Sequence, residues 1–289
     1  MHTTGLMRAG AVVGVAALWL IVAAPGRSPA AETARTGDGR PDLNGIWQSF
    51  TTANWDIEAH EAQPGPHPAI MGAWGAQPGG LGIVGGGAIP YTPEARAKKQ
   101  ENFKNRTVVK VTNDPRRFDT GDPELQCYRA GVPRANYMPF PFQIFQNGEQ
   151  ILMVYEYKGA VRTIYMDPHR EAPADSWMGW SNGTWEGDTL VVDVTAFNGH
   201  AWFDRAGNFA SSSLHVVERW TPKGANHILY EATIEDPAVF TRPWTISFPI
   251  YRRLEPNVQL VEFNCVPFVE EMMYAPLGLF HPPDLGTRE

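Results

Sequence analysis

The sequence predicts an all-β protein: an antiparallel meander closed, or strongly curved, into a barrel, after a long irregular region and one short helix. Three observations lead there. From Phe140 onward, short runs of alternating apolar and polar residues recur between turn signals. Most links between them are too short for a crossover, so neighbours pair antiparallel. An open meander of about nine strands would leave two bare edges, which closure removes.

Each element has a local reason. FQIFQ ends at Asn147-Gly148, a strong hairpin signal, and QILMVYEY runs to Lys158-Gly159 before returning as AVRTIYM. WMGW, a turn at Ser181-Asn182-Gly183, and TW lead to Glu186-Gly187-Asp188 and then TLVVDVT. LHVVERW turns through Pro222 to Asn226 into HILYEATIE. WTISFPIYRRL follows Asp236-Pro237, and VQLVEFNC closes the series. Upstream, NGIWQSF forms a first strand. Thr92 as N-cap, Pro93 at the first helical position and Glu94 in the first turn start a surface helix, ARAKKQENFK. Eight glycines in the sixteen positions from Gly72 to Gly87 exclude a helix there. They predict a loop wrapped over a surface, with Trp74, Leu81, Ile83 and Val84 free to dock.

The chain thus divides into residues 1–30, a polar tail at 31–43, the first strand with the irregular region and helix at 44–136, the barrel at 137–266 and a C-terminal tail at 267–289. Residues 1–30 have the pattern of a Sec-type export signal. Arg8 precedes an uncharged run from Ala9 to Ala24, and Ser28-Pro29-Ala30 suits cleavage after Ala30. The expected location is the periplasm or the exterior. The run is shorter than the ~20 residues of a bilayer span, and no later segment is apolar enough for one. Cleavage removes Arg8 and Arg27 and no acid, moving the formal charge from −7 to −9. An acidic chain with scattered cations offers no phosphate-binding surface, which argues against nucleic acid. Cys127 and Cys265 fit one disulfide between the pre-barrel segment and the last strand, or two buried thiols. Neither has metal-type spacing.

Gly45-Ile46-Trp47 resembles the Gly-x-Trp element on the first strand of lipocalins. That resemblance implies a tryptophan closing the barrel base against a late arginine, here Arg252 or Arg253. The stretches WEGDTLVVDVTAFN, LHVVERW and DPAVFTRPW, with PDLNGIW, PFQIFQ and RTIYMD, resemble a large family of exported bacterial proteins. It shares W-E-G-D-T-L-V-V-D, L-H-V-x-E-R and D-P-x-x-[YF]-T-x-P-W elements. The resemblance implies export and a common β scaffold. Where members often read Gly-His-Ser, this chain has Gly179-Trp180-Ser181.

Candidate chemistry lies in isolated charges on apolar faces. A two-residue turn at Lys158-Gly159 would set Tyr155 opposite Arg162, on a face shared with Ile151, Met153 and Ile164. Arg162 there is either a buried anion-binding fork or a rim ion pair. Glu218 shares its face with Leu214, Val216 and Trp220. It is a general acid or base, or one half of a salt bridge to an arginine. His215 faces the other way, as a core histidine or a proton carrier. Asp193, beside Val191 and Thr195, is expected in the interior or at the mouth. The loop from Ala196 to Ser212 supplies Trp202, Phe203, His200 and Asp204. Asp204 pairs with an arginine, caps loop amides or, with His200 and His215, holds a metal. The aromatic candidates for ligand contact are Tyr155, Trp185, Trp202, Phe203 and Tyr230.

No nucleotide-binding or serine-nucleophile motif occurs. These features together predict an exported barrel enclosing an apolar or aromatic small molecule. They allow cofactor-free lyase, isomerase or hydratase chemistry by His215, Asp204, Glu218 and Asp193. The alternatives are a non-catalytic carrier and a structural or partner-binding envelope protein.

Overall fold

Period-two alternation rolls the back half of the chain into a closed barrel. The computed structural model describes residues 1–2, 32–65, 75–106 and 121–266. The expected export signal, Trp74 and the tail from 267 onward lie outside the described residues. The barrel strands are β1 (Gly45–Ser49), β4 (Phe142–Gln146), β5 (Gln150–Tyr155), β6 (Val161–Tyr165), β7 (Trp180–Glu186), β8 (Thr189–Thr195), β9 (His215–Pro222), β10 (His227–Glu235) and β11 (Trp244–Arg252). β2 (Gln63–Pro64) and β3 (Ala76–Gln77) pair separately. The barrel closes in the order β1, β11, β10, β9, β8, β7, β6, β5, β4. The first strand is thus part of the wall, between β4 and β11.

Two expectations about strands change. Ser181-Asn182-Gly183 is not a turn but lies within β7. The fourteen residues between β6 and β7 are enough for a crossover, and these two strands pair parallel, through Ile164 with Ser181 and Tyr165 with Asn182. The VQLVEFNC segment forms no strand, because β1 already occupies the edge of β11 that it would need. Its end is still tied down, by a disulfide between Cys127 and Cys265.

The helix α1 (Pro93–Asn105) starts as expected: the Thr92 hydroxyl accepts from the Ala95 N–H at 3.2 Å. It buries only Ala95 and Asn102, as its scattered charges require. The described end of the glycine run lies on the barrel wall. Val84 bridges Ile246, Gly85 N–H donates to the Thr245 carbonyl, and Ser247 N–H donates to that of Ile83. This covers the part of β11 that β1 does not reach. Gly82 (φ +75°) lets the strap approach closely, since a Cβ there would meet the Ala59 nitrogen at 2.5 Å.

The short turns β4–β5, β7–β8 and β9–β10 gather at one end of the barrel, and the long connections that follow β1 and β8 open at the other. At the short-turn end, the Arg252 guanidinium stacks 4.2 Å over the Trp47 ring and donates to the carbonyls of Asn44, Asp42 and Ala225. Gly45, at φ +128°, is required because that guanidinium occupies the space of a Cβ. At the other end, the buried segment from Ala130 to Met138 enters as a plug. Inside, Trp220, Tyr230, Phe248 and Phe142 pack at centroid separations of 4.8–6.1 Å, and Tyr137 of the plug meets Phe248 at 5.7 Å. Ser49 Oγ, His60 Nε2, Trp220 Nε1 and Trp244 Nε1 are buried without a hydrogen-bond partner among the described residues. They are exceptions in an interior that is otherwise paired.

The disulfide spans 138 residues of sequence. Replacing both cysteines by serine is expected to lower the unfolding free energy by up to about 4–5 kcal/mol on the chain-entropy account. Urea unfolding of the oxidised parent and the double variant measures this, and coincident midpoints would refute it.

Candidate functional site

Glu218 sits at the centre of a polar network inside the barrel. Alternation along β9 sends Val216, Glu218 and Trp220 inward and His215, Val217 and Arg219 outward. Glu218 is 0% exposed and Arg162 3%. The guanidinium grips the carboxylate with two nitrogens: Nη1 donates to Oε1 at 3.2 Å and Nη2 to Oε2. Oε1 also accepts from Asn136 Nδ2 at 2.9 Å and the Tyr230 hydroxyl at 2.8 Å. Arg162 Nε donates to Ser181 Oγ at 2.9 Å, and the Tyr155 hydroxyl to Asn136 Oδ1 at 2.8 Å. Burial lowers the Arg162 pKa, but the charge and hydrogen bond of Glu218 together with the Tyr155 and Tyr230 phenols outweigh it and raise it. Burial pushes the Tyr155 phenol up to about 12, and burial with the Glu218 charge raises Tyr230 well above its usual value.

The hairpin that delivers Arg162 is two residues out of the expected register. Met153, not Tyr155, lies opposite Arg162, and Ile151 lies opposite Ile164. Tyr155 N–H bonds the Ala160 carbonyl, and residues 156–159 form a four-residue loop with Lys158 at φ 64° and Gly159 at φ 54°. A shift of two leaves every side chain on its face. Arg162 therefore still points inward.

A second network begins two residues from Asn136. Arg134 donates to both oxygens of Asp122 at 2.9 Å, to Glu124 Oε2 at 2.7 Å and to Asn54 Oδ1 at 2.8 Å. Arg205 grips the same Glu124 with two bonds, at 2.8 and 2.6 Å, and lies 4.6 Å over the Trp55 ring. Burial alone would raise Glu124, but Arg205 and Arg134 hold it down to about 2. The turn Arg134–Asn136 therefore joins two buried ionic clusters across the plug.

The remaining sequence candidates are dispersed. Asp193 is on the outer face, not in the interior or at the mouth, because Leu190, Val192 and Val194 take the inward positions of β8. It pairs there with His215, Nε2 to Oδ2 at 2.9 Å, and Glu235 lies 3.7 Å from Nδ1. His215 is thus a half-exposed surface residue, neither in the core nor near Glu218. Asp204 caps loop amides: it accepts from the N–H groups of Ile57, Ala206 and Asn208 and from Asn208 Nδ2 at 2.6–3.1 Å. Burial and the nearby Asp56 carboxylate raise it to about 7 against the pull of these donors. Among the described residues no group of three His, Cys, Asp or Glu side chains is placed to hold a metal, so the His200, Asp204 and His215 arrangement does not form. Phe203 is buried against Phe240 and Trp244, Trp202 bridges Phe209, and Trp185 is half-buried, with Arg40 at 5.9 Å.

The recess that reaches this machinery lies in the wall, where β6 and β7 diverge above their two-residue parallel ladder. It encloses about 370 Å³, and Arg162 and Ser181 form its floor. Val161 and Tyr165 of β6 line it together with Trp177 and Trp180. Tyr165 and Trp180 stack at 4.7 Å, with Arg170 4.5 Å over Tyr165, and Trp180 Nε1 donates to the Arg170 carbonyl at 2.8 Å. Trp177 stacks on Tyr128 at 4.8 Å. Of the sequence candidates, Arg162 lines the cleft, and Tyr155, Trp185, Trp202, Phe203 and Tyr230 do not.

No protein-family model, curated protein or solved structure matches the chain.

The site is therefore read from its geometry. Both Glu218 oxygens are engaged, and the Arg162 charge is neutralised where it meets the cleft floor. This arrangement places a neutralised, fully hydrogen-bonded charge pair beneath the cleft, with no free base at Glu218. Asn136, Ser181, Trp177 and Trp180 were not identified from sequence. Their one readable signal was the aromatic density of WMGW beside a serine, masked by its turn composition.

Two outcomes follow for the ionic clusters. Glu218→Leu strands the Arg162 charge and is expected to cost about 3–5 kcal/mol, whereas Glu218→Leu with Arg162→Met recovers most of it. Denaturant unfolding of the three proteins checks this; an additive double variant would contradict it. For Glu124, a folded-state pKa below the unfolded value means stability is fully present above about pH 4.5 and lost as pH falls toward about 2, by about 3 kcal/mol. Glu124→Gln should flatten that limb of a stability–pH curve relative to the parent.

Proposed function

We propose that this protein is an exported barrel that binds an apolar or aromatic small molecule without transforming it, in the wall cleft between β6 and β7. The observation that carries the reading is a cleft of about 370 Å³ with aromatic walls, set over a charge pair whose polar atoms are already satisfied. Its size and its mixture of rings with a few polar groups suit a small ligand. The lumen, by contrast, holds the packed rings of Trp220, Tyr230 and Phe142.

Acid–base catalysis receives less support. Glu218 accepts four hydrogen bonds, Asp204 is committed to loop amides, and His215 with Asp193 lies on the outer face. A general base needs a free lone pair within reach of its substrate. Export is supported by the sequence of residues 1–30 and agrees with the disulfide. Among the described residues no helix is long and apolar enough to cross a membrane.

A panel of neutral phenols, indoles and terpenoids tests the reading. At least one class should raise the melting temperature, be recovered unchanged by chromatography, and lose its effect in Val161→Trp. Val161 is 54% exposed on the cleft wall, so the substitution crowds the recess without disturbing the core. Absence of any shift, or conversion of the compound, would overturn it.

A further inference from the structure

The buried charges described above are paired, but two charges at the cleft are not. Arg129 and Asp175 both line it and both are exposed. Neither has a hydrogen-bond or ion-pair partner among the described residues, and they do not bridge each other within 4.0 Å. Arg129 belongs to the segment tied by Cys127, two residues away. Asp175 precedes Ser176, whose N–H donates to the Ala196 carbonyl at 2.9 Å and whose hydroxyl donates to that of Gly179 at 3.1 Å. Both charges thus hang from anchored backbone. The floor adds no net charge, because Glu218 neutralises Arg162.

From these features we infer that the ligand class of the cleft is a small aromatic zwitterion, with a ring, a carboxylate and an ammonium group. The inference rests on the binding reading above. A ring packs against the aromatic lining formed by Tyr165, Trp177 and Trp180, where burial and edge or face contacts favour it. A carboxylate answers Arg129, whose planar fork suits two oxygens. An ammonium group answers Asp175 and gains from nearby aromatic faces. A ligand with a single charge would leave one of the two protein charges unanswered. Electrostatic matching of this kind acts mainly on selectivity.

The test compares four indoles that share one ring and differ in charge: indole, indole-3-propionate, tryptamine and tryptophan. Isothermal titration calorimetry is run on the oxidised protein and on Arg129→Ala, Asp175→Asn and Val161→Trp, each first checked for parental thermal unfolding. Tryptophan should bind tightest, by roughly tenfold over either singly charged compound. Arg129→Ala should weaken tryptophan and indole-3-propionate by about three- to tenfold and spare indole and tryptamine. Asp175→Asn should weaken tryptophan and tryptamine and spare the other two. If all four indoles bind alike and Val161→Trp abolishes binding, the charge assignment is wrong while the cleft stands as a binding site. If none binds, or binding survives Val161→Trp, the cleft reading itself fails and this inference with it.

Discussion

The buried Arg162–Glu218 pair is the constraint around which the rest of the barrel is arranged. An ion pair removed from water is tolerated only when its remaining hydrogen-bonding capacity is met inside the protein. Here that capacity is met by Ser181 on β7, Tyr230 on β10 and Asn136 on the plug. Tyr155 on β5 holds Asn136 in turn. Strands that are far apart in the wall order are thereby fixed to one centre, as is the segment that fills the barrel end. The demand for satisfaction, rather than the pair's own attraction, explains why the lumen is crowded with partners and rings.

The same logic accounts for the second cluster. Arg134 and Asn136 lie on one turn, and each serves a different buried carboxylate group. Placing Arg134 against Asp122 and Glu124 positions Asn136 against Glu218. Arg205 then links Glu124 to the long connection between β8 and β9, where Asp204 organises the backbone. The long-connection end is therefore held by ionic and amide bonds, whereas the short-turn end is closed by Arg252 on Trp47. These opposite solutions follow from composition: tight hairpins expose little that needs binding together, and long loops expose much.

Period two was the part of this architecture most readable in advance. It set Glu218 and His215 on opposite faces, although His215 was expected in the core or as a proton carrier, and it put Arg162 on the apolar face even though the hairpin register was out by two. It could also have placed Asp193 correctly, since Leu190, Val192 and Val194 form the more apolar set of β8; the branched Val191 and Thr195 beside the acid obscured that parity. The contact with Trp47 was implied, for Arg252 or Arg253, only by the resemblance of Gly45-Ile46-Trp47 to the lipocalin element, and Arg252 is the one that makes it. What local pattern does not encode is which distant group answers a buried charge. Asn136 and Arg134 sit in loop-like sequence, and Ser181 lies in a strand stretch with turn composition. Their roles arise only once the parallel seam and the plug bring them to Glu218 and Asp122.

That seam also explains where a recess opens in the wall of a barrel whose interior is filled. Elsewhere the wall is knit by ladders such as the eight registered pairs between β10 and β11, whereas β6 and β7 share two. Above those two pairs the strands separate, and the gap is spanned by the side-chain bond from Arg162 to Ser181. A wall held by side chains leaves backbone surface and ring faces accessible in a way that a continuous ladder does not. Because Arg162 both closes the seam and anchors Glu218, the cleft floor is held as firmly as the core. Rigid support beneath an accessible aromatic recess limits the ordering entropy a bound molecule must offset. The buried pair thus fixes the floor of the recess while the Glu218 oxygens stay committed to four donors.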